Sequence, residues 1–408
     1  MDVLLLRANR LVGGLPPINA GVSISELPRL ERGHPIKKRI RAAIVVTNIL
    51  GHVTHLRNMQ GVAEKFPDIE FVWIPVDPAE KAWWQRLRFL NHLSIKGSLL
   101  ARGKLQAALA KQGVDVVLVH THDIALFVSG LCTGIPLIIS TDATPRQLAE
   151  LRRTSGGGDG PVLAAYSWWV DQRVMAVIRK AQAMVAWSNW CERSFTGQYS
   201  VAPEKITVIP PGIDLGMWPY VERHPHGGKA RLLFVGGEFY RKGGKVLIGA
   251  INTGLANRCE VDIVTREDLS RENLPSGARV HRNLNSNDGT LRHLYAEADV
   301  FVLPTLSDTL GIVLIEAMAS GLPVVATDIA GVPEVVAHGS TGLLVRPGNT
   351  SELARAITEL IDSPELRLKM GTAGRRKAAR EFSAATNYGR LFNLLVTVAR
   401  SRRGSLDL

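Results

Sequence analysis

Sulfur is scarce in this chain of 408 residues. Its three cysteines, Cys132, Cys191 and Cys259, lie far apart, so neither a metal-ligand pair nor a disulfide framework is written into the sequence, and a reducing compartment is expected. No apolar run approaches the roughly 18 residues that could span a bilayer. The opening "MDVLLLRANRLVGGL" is interrupted by Arg7 and Arg10, which speaks against a secretory leader. A cytoplasmic location is therefore expected. Acidic residues are missing between Glu80 and Asp115, where Lys81, Arg86, Arg88, Lys96, Arg102, Lys104 and Lys111 accumulate. There is no Asp-x-Asp cluster of the kind a metal-bridged phosphate site uses, and no P-loop or dinucleotide glycine fingerprint. A recognition helix, an aromatic single-strand motif and a zinc pattern are equally absent, which sets specific nucleic-acid binding aside.

What is present is an ordinary core-forming composition, 46% hydrophobic and 21% charged, with enough chain for two domains. The formal net charge of +12 favours anionic partners. Short aliphatic runs, "RAAIVVTNIL", "IEFVWIPV", "VDVVLVH" and "GIPLIIS", alternate with helix-length stretches. The alternation restarts at "RLLFVGGEFYRKGGKVLIGA" and continues through "CEVDIVT", "ADVFVLPT", "PVVATDI" and "GLLVRPG". Both halves therefore read as doubly wound α/β domains with parallel sheets. The expected boundaries are an extension at 1–36, a first domain at 37–220, a linker at 221–230, a second domain at 231–385 and a terminal helix at 386–408 that packs back across either domain, the first being the one named.

Sites in such sheets lie beyond the carboxyl ends of the strands. In "SDTLGIVLIEAMASG", Asp308 falls in such a loop and Glu316 inside the following helix. The amides of Leu310, Gly311 and Ile312 would then sit at a positive helix end that receives a phosphate. The alternative is an N-cap aspartate on an ordinary packed helix. In "FVGGEFYRKGG", Gly236 and Gly237 permit a tight turn and close approach, and Arg241 with Lys242 brings two cations to the same region.

With these residues in view, the chain resembles the retaining glycosyltransferases of the two-domain GT-B type, family 4, over about residues 40 to 400. The run from Asp308 through Glu316 to "AMASGLPVVATDIAGVPEVV" carries the resemblance most specifically. It implies two Rossmann-like domains facing across a cleft, and transfer of a hexose from a UDP- or GDP-sugar to a hydroxyl acceptor, either a carbohydrate or a lipid-linked one. No cofactor or metal is implied. Glu316 would bind the donor ribose, the amides from Leu310 to Val313 the phosphates, Asp308 the transferred sugar and Lys242 the diphosphate. The family's arginine aligns with Gly237, which leaves Arg241 as the neighbouring source of a second cation. Gly51 would let the phosphates approach from the first domain, and His120 would stand near the reacting centre, with His122 as the alternative. Thr141 and Asp142 would either line the acceptor pocket or cap the next helix. The base pocket is expected near Arg266 and Asn283 to Asn285. A nucleotide-sugar epimerase and a noncatalytic scaffold are the competing readings of the same fold.

The segment "KAWWQRLRFLNHLSIKG", residues 81–97, has an imperfect basic amphipathic pattern. It reads either as a peripheral contact with an anionic membrane surface or as a helix packed on the first sheet.

Overall fold

The aliphatic runs form strands that are buried on both faces. In β1 (Ile40–Thr47), seven of eight residues are buried, as a parallel strand covered by helices on both sides requires. The computed structural model describes residues 39–48, 51–80, 93–156, 160–218, 220–221, 227–284 and 288–406. The expected extension at 1–36, the 81–92 part of the Trp-rich segment, residues 222–226 of the expected linker, and Asn285 lie outside the described residues.

The first sheet is built from β1, β2 (Ile69–Val76), β3 (Val116–His120), β4 (Leu137–Thr141), β5 (Ala183–Ala186) and β6 (Ile206–Val208), in the order β2-β1-β3-β4-β5-β6. Every pairing in it is parallel. Among its helices are α1 (Gly51–Ala63), α2 (Leu93–Lys111), α3 (Pro145–Thr154), α4 (Pro161–Lys180) and α5 (Asn189–Tyr199). The second sheet comprises β7 (Ala230–Val235), β8 (Cys259–Thr265), β9 (Ala278–Arg282), β10 (Val300–Leu303), β11 (Val324–Thr327) and β12 (Gly342–Val345), ordered β12-β11-β10-β7-β8-β9. It too is parallel throughout. Its helices include α6 (Gly244–Asn252), α7 (Gly289–Glu297), α8 (Ile312–Ala319), α9 (Val332–Val335), α10 (Thr350–Asp362) and α11 (Pro364–Glu381).

The strand orders locate the functional cleft. In the first sheet the winding reverses between β1 and β3; in the second it reverses between β7 and β10. Loops leaving those strands diverge to opposite faces of their sheet and open a crevice there. The last helix, α12 (Ala384–Leu406), crosses back to the first sheet, where Tyr388, Leu391, Phe392 and Leu395 join Ile40, Ala42, Ile44 and Val46 in one core. The crossing is tight. Ile213 N–H donates to Phe382 O at 2.8 Å and Ala384 N–H to Ile213 O at 2.9 Å. A Cβ at Gly212 would lie 2.4 Å from Ala384 Cα, so only glycine fits.

Candidate active site

Two loops from the second sheet meet at its switch point. The turn after β7 delivers Lys242, and the loop after β10 delivers Asp308, which form an ion pair through Nζ and Oδ2. The Asp308 Oδ1 atom also accepts from the Thr309 amide at 3.0 Å. Close approach of the two loops depends on glycine: Gly243 has φ +79°, and a Cβ there would lie 1.8 Å from Pro304 O. Burial pulls the Lys242 ammonium below its ordinary range, against the opposing pull of Asp308.

Gly311 (φ +79°) opens α8, and a Cβ on it would meet Leu314 Cδ1 at 2.7 Å and Asp308 Oδ2 at 3.5 Å. The start of α8 therefore adjoins the ion pair. Glu316, just over a turn in, is 3% exposed. Its Oε2 accepts from the Tyr295 hydroxyl at 3.1 Å, and burial pushes its carboxyl up to about 8 although Tyr295 opposes the shift.

From the first sheet, Gly51 faces this helix: a Cβ on it would come 3.2 Å from Ile312 Cδ1. The two switch points thus confront each other. Thr309 Oγ1 donates to Asp142 Oδ2 at 2.8 Å across the cleft, and Ser155 Oγ donates to Leu306 O at 2.7 Å. Glu334 of α9 accepts from the amides of Asn189 and Trp190 at 2.7 and 2.6 Å, placing a carboxylate on the positive end of α5.

The structure places several expected residues differently. Arg241 is not a free second cation. It pairs with Glu238, and its Nη1 reaches the Ser307 carbonyl. His120 is in the core, not on the cleft wall. It has no exposed surface, stacks on Trp187 at 4.7 Å between centroids, and lies 4.6 Å from His55. Its Nδ1 meets Ser140 Oγ at 3.1 Å, its buried Nε2 has no partner, and burial holds it well below the usual imidazole range. In this structure the ring is closed off beside Trp187 and His55. His122, two residues past the strand end, meets Thr141 Oγ1 at 3.3 Å and Asp123 Oδ1 at 3.5 Å. Neither Thr141 nor Asp142 caps the following helix, because Thr144 and Gln147 form the capping box of α3. In the described part of the 81–97 segment, Ser94 donates to Asp123 Oδ1 at 2.8 Å, and both Ser94 and Lys96 are buried.

Other residues at the site were not singled out from the sequence. His52 follows Gly51, meets Thr47 Oγ1 through Nδ1, and sets its ring edge-on to His120 at 4.9 Å. His55 connects this cluster to the crossover: the Tyr388 hydroxyl donates to Gly212 O at 3.1 Å and so accepts from His55 Nδ1 at 3.0 Å. Burial, with His52 adding to it, pushes His55 down to about 3, and burial also lowers His52 against the pull of Asp142 and Asp123. These three imidazoles, His52, His55 and His120, are neutral near pH 7, acting as oriented hydrogen-bonding rings rather than charges. The adjacency of His52 to the Gly51 turn was a usable signal; the contributions of Tyr388, Thr309 and Glu334 were not visible without the fold. Among the described residues, no group of three or more His, Cys, Asp or Glu is arranged to hold a metal.

Residues 220–377 match the family of glycosyl transferases group 1, and residues 74–216 match glycosyltransferase family 4. The glycogen synthase of Mycobacterium tuberculosis is 29% identical over 284 residues, covering 66% of each chain, so the match spans just under two thirds of that relative. The α-maltose-1-phosphate synthase of the same species is 29% identical over 327 residues, covering 69% of this chain and 82% of the other. Sucrose-phosphate synthase from Thermosynechococcus elongatus superposes with a TM-score of 0.71 at 18% identity, covering 88% of this chain and all of that one.

Proposed function

Because the chain belongs to the GT-B glycosyltransferases of family 4, we propose that it moves a hexose, with retention at the anomeric carbon, from a UDP- or GDP-sugar to a hydroxyl of a carbohydrate or lipid-linked acceptor. The observation that carries this reading is the convergence of Lys242, Asp308, Glu316 and the start of α8 at one switch point, facing Gly51 from the other sheet. Glu316, once ionised, offers acceptors to the ribose hydroxyls. Lys242 and the unbonded first amides of α8 meet the diphosphate, whose charge grows as the anomeric bond breaks, so they stabilise the transition state more than the ground state.

Asp308 addresses the hexose hydroxyls rather than the anomeric carbon, since Lys242 and the Thr309 amide already hold its two oxygens. With both Asp308 oxygens engaged, the acceptor proton passes to the leaving phosphate on the same sugar face. Asp142, whose Oδ2 reaches Thr309 across the cleft, would orient the acceptor hydroxyl, with the buried His122 and Thr141 behind it. The names of two relatives, glycogen synthase and α-maltose-1-phosphate synthase, favour a carbohydrate acceptor over a lipid-linked one.

The test is to incubate the protein with UDP- and GDP-hexoses, with and without malto-oligosaccharide or monosaccharide-phosphate acceptors, and to follow diphosphate release and product anomer by NMR. Acceptor-dependent release with a retained anomer is expected. Acceptor-independent release would indicate hydrolysis or epimerisation, and an inverted product would overturn retention.

A further inference from the structure

The two glycines after β7 are each covered by a cation. A Cβ at Gly236 would lie 2.9 Å from Lys242 Cβ and 3.0 Å from its Cγ; a Cβ at Gly237 would lie 2.9, 3.0 and 3.3 Å from Nε, Nη2 and Cζ of Arg266. Arg266 arrives from the end of β8, and its placement is not accidental surface drift. Its amide donates to Gly237 O at 3.3 Å, and Thr265 Oγ1 donates to the same carbonyl at 3.3 Å. The β8 terminus is thereby tied to the turn, and the guanidinium lies in the space that a side chain at position 237 would otherwise occupy.

Charge accounting singles this residue out. Lys242 is paired with Asp308 and Arg241 with Glu238, so those four charges cancel. Arg266 is exposed and makes no side-chain hydrogen bond or ion pair with the described residues. The two carboxylates that follow it do not engage it: Asp268 accepts from the Ser270 amide at 3.1 Å, and Glu267 Oε2 is buried without a hydrogen bond. An incoming dianion at this turn therefore meets one uncommitted cation among the described residues, in a planar fork suited to phosphate oxygens.

We propose that Arg266 is the second diphosphate-binding cation of the donor site, reaching the phosphates through the space left open by Gly237. The assignment rests on the donor reading above. It moves Arg266 from the base pocket, where the sequence pointed, to the phosphates.

The experiment is calorimetric titration of the full chain with UDP and GDP, their monophosphates and the free nucleosides. Arg266→Ala is expected to weaken diphosphate binding by about 10- to 100-fold, the range of a lost charge-assisted hydrogen bond, with a much smaller effect on the nucleoside. Gly237→Ala, whose methyl group displaces the guanidinium, is expected to weaken it in the same direction. A folded Gly237→Arg, Arg266→Ala double variant is expected to recover most of the lost affinity, because it returns a cation to the same space. Unchanged diphosphate binding in Arg266→Ala, equal losses for nucleoside and diphosphate, or a folded double variant as weak as Arg266→Ala would each overturn the assignment. If the wild type bound neither UDP nor GDP, the donor reading itself would fall, and this inference with it.

Discussion

Glu316→Gln separates the two demands placed on one buried carboxylate. The side chain is 3% exposed and shares a hydrogen bond with Tyr295, which is itself buried, stacked on Phe301 at 5.5 Å and edge-on to Trp218 at 4.9 Å. Burial raises the carboxyl from 4.5 to about 8. For an acid whose folded pKa is raised, the native state binds the proton more tightly than the unfolded state does between those values. Stability therefore falls as pH rises from 4.5 through 8 and levels off above. At about 1.4 kcal/mol per pH unit, the ionised carboxylate costs the unliganded fold up to about 5 kcal/mol. Glutamine preserves the acceptor for Tyr295 and cannot ionise; its unpaired amide N–H returns about 1 kcal/mol of that gain. Glu316→Gln should thus melt near the wild type at pH 5 and several degrees above it at pH 9. Donor binding should behave oppositely. In the wild type it should strengthen as pH rises towards 8, because the ionised form accepts the ribose hydroxyls, and in the variant it should be about 30- to 150-fold weaker at pH 8. Thermal melts at pH 5, 7 and 9, with calorimetric titration of UDP and GDP, measure both. Parallel melting curves across that range would refute the buried titrating carboxylate, and equal donor affinity would refute the ribose contact.

Asp308→Asn leaves the Lys242 ammonium buried without its anion, so the unliganded protein should lose about 3 kcal/mol and bound UDP or GDP should restore more stability than in the wild type; an unchanged melt with and without diphosphate would contradict the pairing. Glu334→Ala removes the carboxylate from the positive end of α5, and amide exchange at Asn189 and Trp190 should quicken about 5- to 30-fold; unchanged protection would mean the cross-cleft contact is not formed in solution. Gly212→Ala forces a methyl group to within 2.4 Å of the Ala384 backbone, where nothing flexible can yield, and should lower the melting midpoint by the equivalent of at least about 1–3 kcal/mol.

The parallel strands were legible because burial on both faces leaves continuous aliphatic runs, as in "AAIVV" of β1 and "VFVL" of β10, and the helix after Gly311 was legible from its small and aliphatic residues. Lys242, Asp308 and Glu316 were legible because each falls just past a strand end, in a loop or in the first turns of the helix that follows, whereas the switch point that gathers them came with the strand order. What could not be read depends on which segments meet. His120 and His122 differ by two positions, but one is the last residue of a buried strand and the other lies in the turn beyond it; only the strand's end in space shows that 120 is roofed by Trp187. Arg241 stands beside Lys242 in sequence, yet a single turn brings Glu238 back to neutralise it. Position 237 is the sharpest case. By the family resemblance, its glycine is a lost cation. In the fold, the missing side chain is what admits a guanidinium from the neighbouring strand, because β7 and β8 run parallel and end at the same level. The charge required at a site is a property of the space the ligand will occupy, and adjacent parallel strands offer two ways to fill it.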